Sequence, residues 1–312
     1  MRRLPSSVPA AALVVTLLLG LPGCIDPSTV AGPDSGRSDA SLSPRVLAAD
    51  MAFYSNRDRN LEIYLMDTAK GTVKRLTRND AIDIDPVYSP DGQKLAFMSD
   101  RDGNWEIYVM KTDGTSTVRL TDNPNHDSRP AWSPDGSRIA FCSDRSGKWE
   151  VYVMNADGTG VTQLTASYGV DVGPHWSPDG SKIAFETNRD GNYEIYVMNA
   201  DGSNPVNLTN SPGEDRKASW SPNGSRLAFA SNRTGDFEIY VMNADGSGQT
   251  QITNNPALDD APAWSRDASR IAFYSDRTGN WDIFVMVVDG SSPINLTHHR
   301  GDDAGADWRP FI

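Results

Sequence analysis

Three short strings return along this sequence at one fixed interval, and few folds are compatible with that. Ala-Phe recurs with its ring at Phe53, Phe97, Phe141, Phe185, Phe229 and Phe273. Leu-Thr or Ile-Thr recurs at Thr77, Thr121, Thr165, Thr209, Thr253 and Thr297, and an aromatic residue at Tyr88, Trp132, Trp176, Trp220, Trp264 and Trp308. Every series steps by 44 residues. A period of this length without insertions marks one supersecondary unit copied six times, each copy burying its apolar face against the next. The units fill residues 49–312 and leave no stretch for a second domain.

In the third unit, RPAWS, SRIAFCS, WEVYVMN and VTQLT are four short runs of strand-forming residues. Pro134-Asp135-Gly136, Ser146-Gly147 and Asp157-Gly158 separate them, and such pairs supply the positive φ angles of tight hairpins. Each unit is therefore expected to be a four-stranded antiparallel meander. Trp149 to Met154 carries large side chains on both alternate faces, so the sheet must be covered on both sides. Radial stacking of blades provides that cover, and the sequence predicts an all-β fold, a six-bladed β-propeller. The first unit has only Ser43-Pro44 where the opening Trp-Ser belongs, whereas Ala306-Asp307-Trp308-Arg309-Pro310 repeats the opening strand and stops. The C-terminal strand is thus expected to complete blade one and close the ring, which removes the exposed sheet edges.

The chain has 29 basic and 41 acidic residues, a net charge of −12. It offers no basic stripe that would release counterions from phosphates, so nucleic acid is excluded as a partner. Met1-Arg2-Arg3, the apolar stretch Val8 to Leu21 and the string Leu21-Pro22-Gly23-Cys24 have the layout of a secretory signal, too short for a comfortable membrane span. Leu, a small residue and Cys resemble the bacterial lipobox, which implies cleavage before Cys24, lipid on its sulfur, and Ile25 directing the protein to the outer membrane. Residues 1–23 are expected to be a lipoprotein signal peptide. Residues 24–48, rich in Pro, Ser, Gly, Asp and Ala, are expected to be a tether reaching roughly 25–30 Å. The lipid would be the sole membrane contact, placing the protein on the periplasmic side of the outer membrane or on the cell surface. Cys142 stands alone in a predicted strand, so no disulfide framework is expected.

WSPDGSRIAF (Trp132 to Phe141), Ser99-Asp100-Arg101, Ser231-Asn232-Arg233 and EIYVMNADG (Glu194 to Gly202 and Glu238 to Gly246) resemble the TolB-type propeller repeat family over residues 50–312. The resemblance implies the propeller fold and a periplasmic or surface binding protein whose channel mouth grips an envelope protein or peptide, such as a peptidoglycan-associated lipoprotein. The family's namesake carries an α/β domain before its propeller, where this sequence has the short tether. A propeller is a scaffold for many activities, so the fold alone does not assign one.

Symmetry separates scaffold from site. Asp83, Asp127, Asp171, Asp215, Asp259 and Asp303 precede each inner strand, on the face that also carries Arg57, Arg101, Arg145, Arg189, Arg233 and Arg277. One reading pairs them within each blade, like the loop-to-strand networks of WD-repeat propellers. The sharper reading makes the carboxylates a ring at the channel mouth for a cation or a basic partner segment. Arg101, Arg145, Arg189 and the Trp series Trp132, Trp176, Trp220, Trp264 and Trp308 read as blade construction, and Glu62, Glu106, Glu150, Glu194 and Glu238 as carboxylates paired with Arg or backbone donors. Residues that break the repeat gather in the long loops: His126, Tyr168, Arg216-Lys217 and His298, with His175 at the head of an inner strand. Aromatic, imidazole and basic groups around an acidic rim have the composition of a recognition surface. The sequence lacks a G-x-S-x-G elbow, an H-E-x-x-H helix, a CxxC pair and a phosphate loop. The expectation is a monomeric, non-enzymatic binding module without a cofactor or bound metal. The alternatives are a small-ligand-binding propeller or a polysaccharide-active one in which His and a metal assist.

Overall fold

The computed structural model describes residues 50–310. The expected signal segment, Cys24 and the tether lie outside the described residues. Six four-stranded antiparallel sheets follow one another. The blade-two strands Asp83–Tyr88, Lys94–Ser99, Glu106–Lys111 and Val118–Arg119 are typical, running from the channel outwards. The inner strands of blades two to six begin at Asp83, Asp127, Asp171, Asp215 and Asp259. Blade one takes its inner strand, Asp303–Trp308, from the C-terminus, pairing Met51 with Trp308 and Ser55 with Asp303. The closure read from the repeat is therefore what the chain forms. In blades two to six the outermost strands are only two residues long, which leaves little free edge for another sheet to extend.

The Ala-Phe repeat is explained by stacking. Neighbouring residues of a strand face opposite sides of the sheet, so each blade presents a small side chain to one neighbour and a ring to the other. Phe185 of blade four packs in the cluster with Ala140 of blade three, Phe229 with Ala184, Phe273 with Ala228, and Phe53 of blade one with Ala272 of blade six. All of these are completely buried.

A second repeat holds the loops. In blade two, the Arg101 guanidinium donates to both oxygens of Asp83 at 2.8 and 2.9 Å, its Nε donates to Ser99 Oγ at 2.9 Å, and its plane lies 4.6 Å from the ring centre of Tyr108. Asp100 of the same Ser-Asp-Arg string accepts the Ile82 N–H at 2.8 Å. The arrangement repeats in the other five blades, through Arg57–Asp303, Arg145–Asp127, Arg189–Asp171, Arg233–Asp215 and Arg277–Asp259. The Leu-Thr repeat has its own partner: Thr121 accepts the Ile107 N–H at 2.9 Å and donates to Glu106, whose other oxygen takes Arg119 at 2.7 Å.

At Glu150 the neighbour is Lys148, 3.3 Å away, where Asn60, Asn104 and Asn192 donate to the equivalent Glu in blades one, two and four. Burial, aided by the nearby Asp171 charge, raises the Glu150 carboxyl above its ordinary pKa despite the Thr165 hydrogen bond. A carboxylate raised on folding disfavours the native state once pH passes its unfolded value, and has no such effect at lower pH, where both states are protonated. Glu150→Gln should therefore raise the midpoint of thermal unfolding at pH 7.5 and lose that advantage near pH 4, as scanning calorimetry at the two pH values would show.

Candidate functional site

Each inner strand contains a β-bulge. Its register against the second strand shifts between Ile84 and Val87, Ser128 and Ala131, Val172 and His175, Arg216 and Ser219, and Asp260 and Ala263. The third residue of each strand takes positive φ: Asp85 52°, Arg129 50°, Gly173 63°, Lys217 57°, Ala261 50° and Gly305 62°. A bulge re-aims the side chains around it, and here the third and fifth residues of the strands line the central channel. The channel cavity has a volume of about 400 Å³.

In the third column, blades one, four and six carry Gly305, Gly173 and Ala261, and their second strands place Tyr54, Glu186 and Tyr274 beside the bulge. Blades two, three and five carry Asp85, Arg129 and Lys217 and have Met98, Cys142 and Ala230 on the second strand. The small residues are required by their neighbours. A Cβ on Gly305 would lie 2.4 Å from Tyr54 Cε1, and one on Gly173 would lie 2.6 Å from Glu186 Oε1. The charged residues take the opposite course, since left-handed backbone costs a residue with a Cβ roughly 1–2 kcal/mol.

The charges form chains around the ring. Glu186 accepts Arg129 of blade three at 3.1 Å and the Lys217 N–H of blade five at 2.8 Å. Burial opposes the Arg129 charge, but Glu186 outweighs it and holds the guanidinium above its ordinary pKa. Arg216 pairs with Asp260 at 2.9 Å and lies 3.6 Å from the centre of the Phe237 ring. Asp260 also accepts the Tyr274 hydroxyl at 2.9 Å, and desolvation with that negative neighbour drives the phenol far above its usual range. Lys217 is pushed down by desolvation and by Arg129.

The sequence-predicted residues fall differently. Asp83, Asp127, Asp171, Asp215, Asp259 and Asp303 are fully buried and turned to their own blade's Arg, so they do not form an open carboxylate ring. Partnered carboxylates cost less to bury than bare ones, which decides between the two readings of this series. Arg216 and Lys217 are not loop residues; they occupy the second and third positions of an inner strand. His126 is an anchor whose Nδ1 accepts the Trp105 N–H at 3.2 Å, while its own N–H bonds Asp144 at 2.7 Å. Tyr168 is fully exposed at 105% and His298 is exposed in the loop entering blade one. His126, Tyr168, Arg216 and His298 therefore stand on separate parts of the ring. His175 is the fifth residue of its strand, near the turn end rather than the head, and burial takes its imidazole down to about 4. Asp85, Arg129, Glu186 and Asp260 were not found from sequence. Asp85 and Arg129 lie in the channel-facing third column, which reads Asp, Arg, Gly, Lys, Ala and Gly around the ring, while Asp260 is a second-position residue and Glu186 belongs to a second strand.

These features define a closed six-bladed propeller with an asymmetric, charged channel. Residues 40–129, 118–219 and 206–311 match the TolB beta propeller domain, and the chain belongs to that family. The structure of TolB from Acinetobacter baumannii superposes with a TM-score of 0.78 at 19% identity, covering 97% of this chain and 71% of the other. A putative TolB from Agrobacterium tumefaciens gives 0.69 at 20% identity over 84% of this chain and 99% of the other. The Tol-Pal system protein TolB of Geobacter sulfurreducens is 47% identical over 45 residues, 14% of this chain and only 10% of that relative.

Substitution should separate the two kinds of bulge. Gly173→Ala forces a Cβ onto Glu186 in left-handed backbone and should cost at least about 2 kcal/mol, whereas Ala261→Gly should change stability by less than about 1 kcal/mol. Urea denaturation of both variants checks this.

Proposed function

We propose that this protein is a non-enzymatic binding module of the bacterial envelope, held to the membrane by lipid on Cys24, which recognises a protein or peptide where the inner strands begin. The observation that carries the reading is the placement of the unrepeated residues. On that face the scaffold groups are buried and paired, while the fully exposed ring of Tyr168 and the exposed His298, His299 and Arg300 project from loops that need not hold the blades. Half-buried Trp149, Tyr193 and Trp281 open the third strands at the same end, and aromatic and basic side chains are the types that dominate interface energies.

A catalytic reading that uses His and a metal has less support. His126 anchors a loop, His175 lies toward the other end of the channel, and His298 and His299 sit in the loop entering blade one. Among the described residues no three His, Cys, Asp or Glu side chains converge to hold a metal ion.

The family resemblance makes a peptidoglycan-associated lipoprotein the first partner to test. Tyr168→Ala with His298→Ala should weaken binding of its soluble domain at least about tenfold in biolayer interferometry, without altering the unfolding midpoint. Equal binding by the variant, or no binding by either protein, would remove this partner and this face from the account.

A further inference from the structure

At the level of the bulge two opposite charges are left without an ion pair, whereas nearer the turn end of the channel Asp307 accepts the Tyr88 N–H at 2.7 Å and Arg266 donates to the Trp308 carbonyl at 3.3 Å. Arg129 is matched by Glu186 and Arg216 by Asp260. Asp85 and Lys217 form no ion pair within 4 Å among the described residues, and Asp85 Oδ2 is buried without a hydrogen-bond partner. The inner strands contact one another in ring order, so blade two, which carries Asp85, is three steps from blade five, which carries Lys217. The two groups therefore face each other across the cavity, at the same level of the bulge.

Both are held in the left-handed region, at φ 52° and 57°, at positions where blades one and four use Gly. Strain at such positions persists when something other than stability retains the side chain. Both residues are half-buried; the buried Oδ2 of Asp85 lacks a hydrogen bond, which adds to the cost, and desolvation with the nearby Arg129 makes the Lys217 ammonium easier to deprotonate than usual. A ligand carrying both charges would relieve both deficits. Its ammonium would donate to Asp85 Oδ2 and its carboxylate would accept from Lys217 Nζ.

We propose that the channel is a binding site for a small zwitterion, an amino acid with its ammonium and carboxylate separated by a short chain, held between Asp85 and Lys217. The apolar walls beside them, among which are Ala261, Pro130 and Val87, would take the carbon chain. A cavity of about 400 Å³ admits such a molecule and lies within the usual size of small-ligand sites. This assignment does not depend on a protein partner at the mouth, since no residue of that surface enters it.

Isothermal titration of the full chain with ω-amino acids, from glycine to 6-aminohexanoate, tests the pairing. Affinity should peak at one chain length, and the amine and the carboxylate of that length, each lacking the other charge, should bind at least about tenfold more weakly. Asp85→Asn and Lys217→Met should each lose at least about tenfold, and Lys217→Gln serves if the Met variant does not fold. Three results would overturn the proposal: singly charged analogues binding as well as the zwitterion, variants binding like the parent, or no heat from any member of the series at about 10 mM.

Discussion

The contact on which the rest of this propeller depends is the buried pairing of an inner-strand Asp with the Arg of the Ser-Asp/Asn-Arg turn in its own blade, made six times. It joins the loop entering a blade to the hairpin between its second and third strands, and the same Arg covers the Phe and Tyr or Phe pair inside the sheet. Buried charges are tolerable only when partnered and hydrogen-bonded. Here each carboxylate has its guanidinium, and most gain an Asn or Ser from the entering loop, as Asp83 does from Asn79 at 2.7 Å. Once these heads are fixed, the apolar faces stack as small against large, and the ring closes when the C-terminal strand supplies the missing inner strand of blade one.

That division explains how one repeat serves as both scaffold and site. Residues present in every blade are consumed by construction, and the Asp series illustrates it, since a carboxylate held by Arg and buried cannot also grip a partner. The channel is different because its lining comes from the bulge, where the backbone geometry is fixed in all six blades but the side chain is free to vary. The second-strand side chains Tyr54, Glu186 and Tyr274 fill the space at the bulge where the inner strand carries Gly305, Gly173 and Ala261, as the contact of Gly173 with Glu186 shows.

The fold was legible in the sequence because periodicity, turn chemistry and the displaced opening strand each point to the same closed ring. The pairing of Asp with Arg was legible as one of two readings, since a sixfold series with matched spacing places both groups on one face. The channel was not legible. Which residues face it depends on a register shift between the second and fifth positions of each inner strand, and a one-residue slip reverses every face downstream. For that reason Arg216 and Lys217 read as loop residues and His175 as the head of a strand. Glu186 was not singled out in the sequence, although its pairing with Gly173 in the same blade was the available clue.

The central claim is that repeated residues hold the propeller and unrepeated channel residues do not. Thermal unfolding of Asp83→Asn beside Asp85→Asn tests it most directly, because both replace a carboxylate of the same inner strand with its neutral isostere. The first leaves the Arg101 guanidinium without its carboxylate, at a cost of about 3–5 kcal/mol, so its midpoint should fall by on the order of 10 °C. The second removes a strained charge without a close partner, and its midpoint should stay level or rise. A fall in Asp85→Asn as large as that in Asp83→Asn would mean that the channel charges are part of the scaffold, and the division drawn here would be wrong.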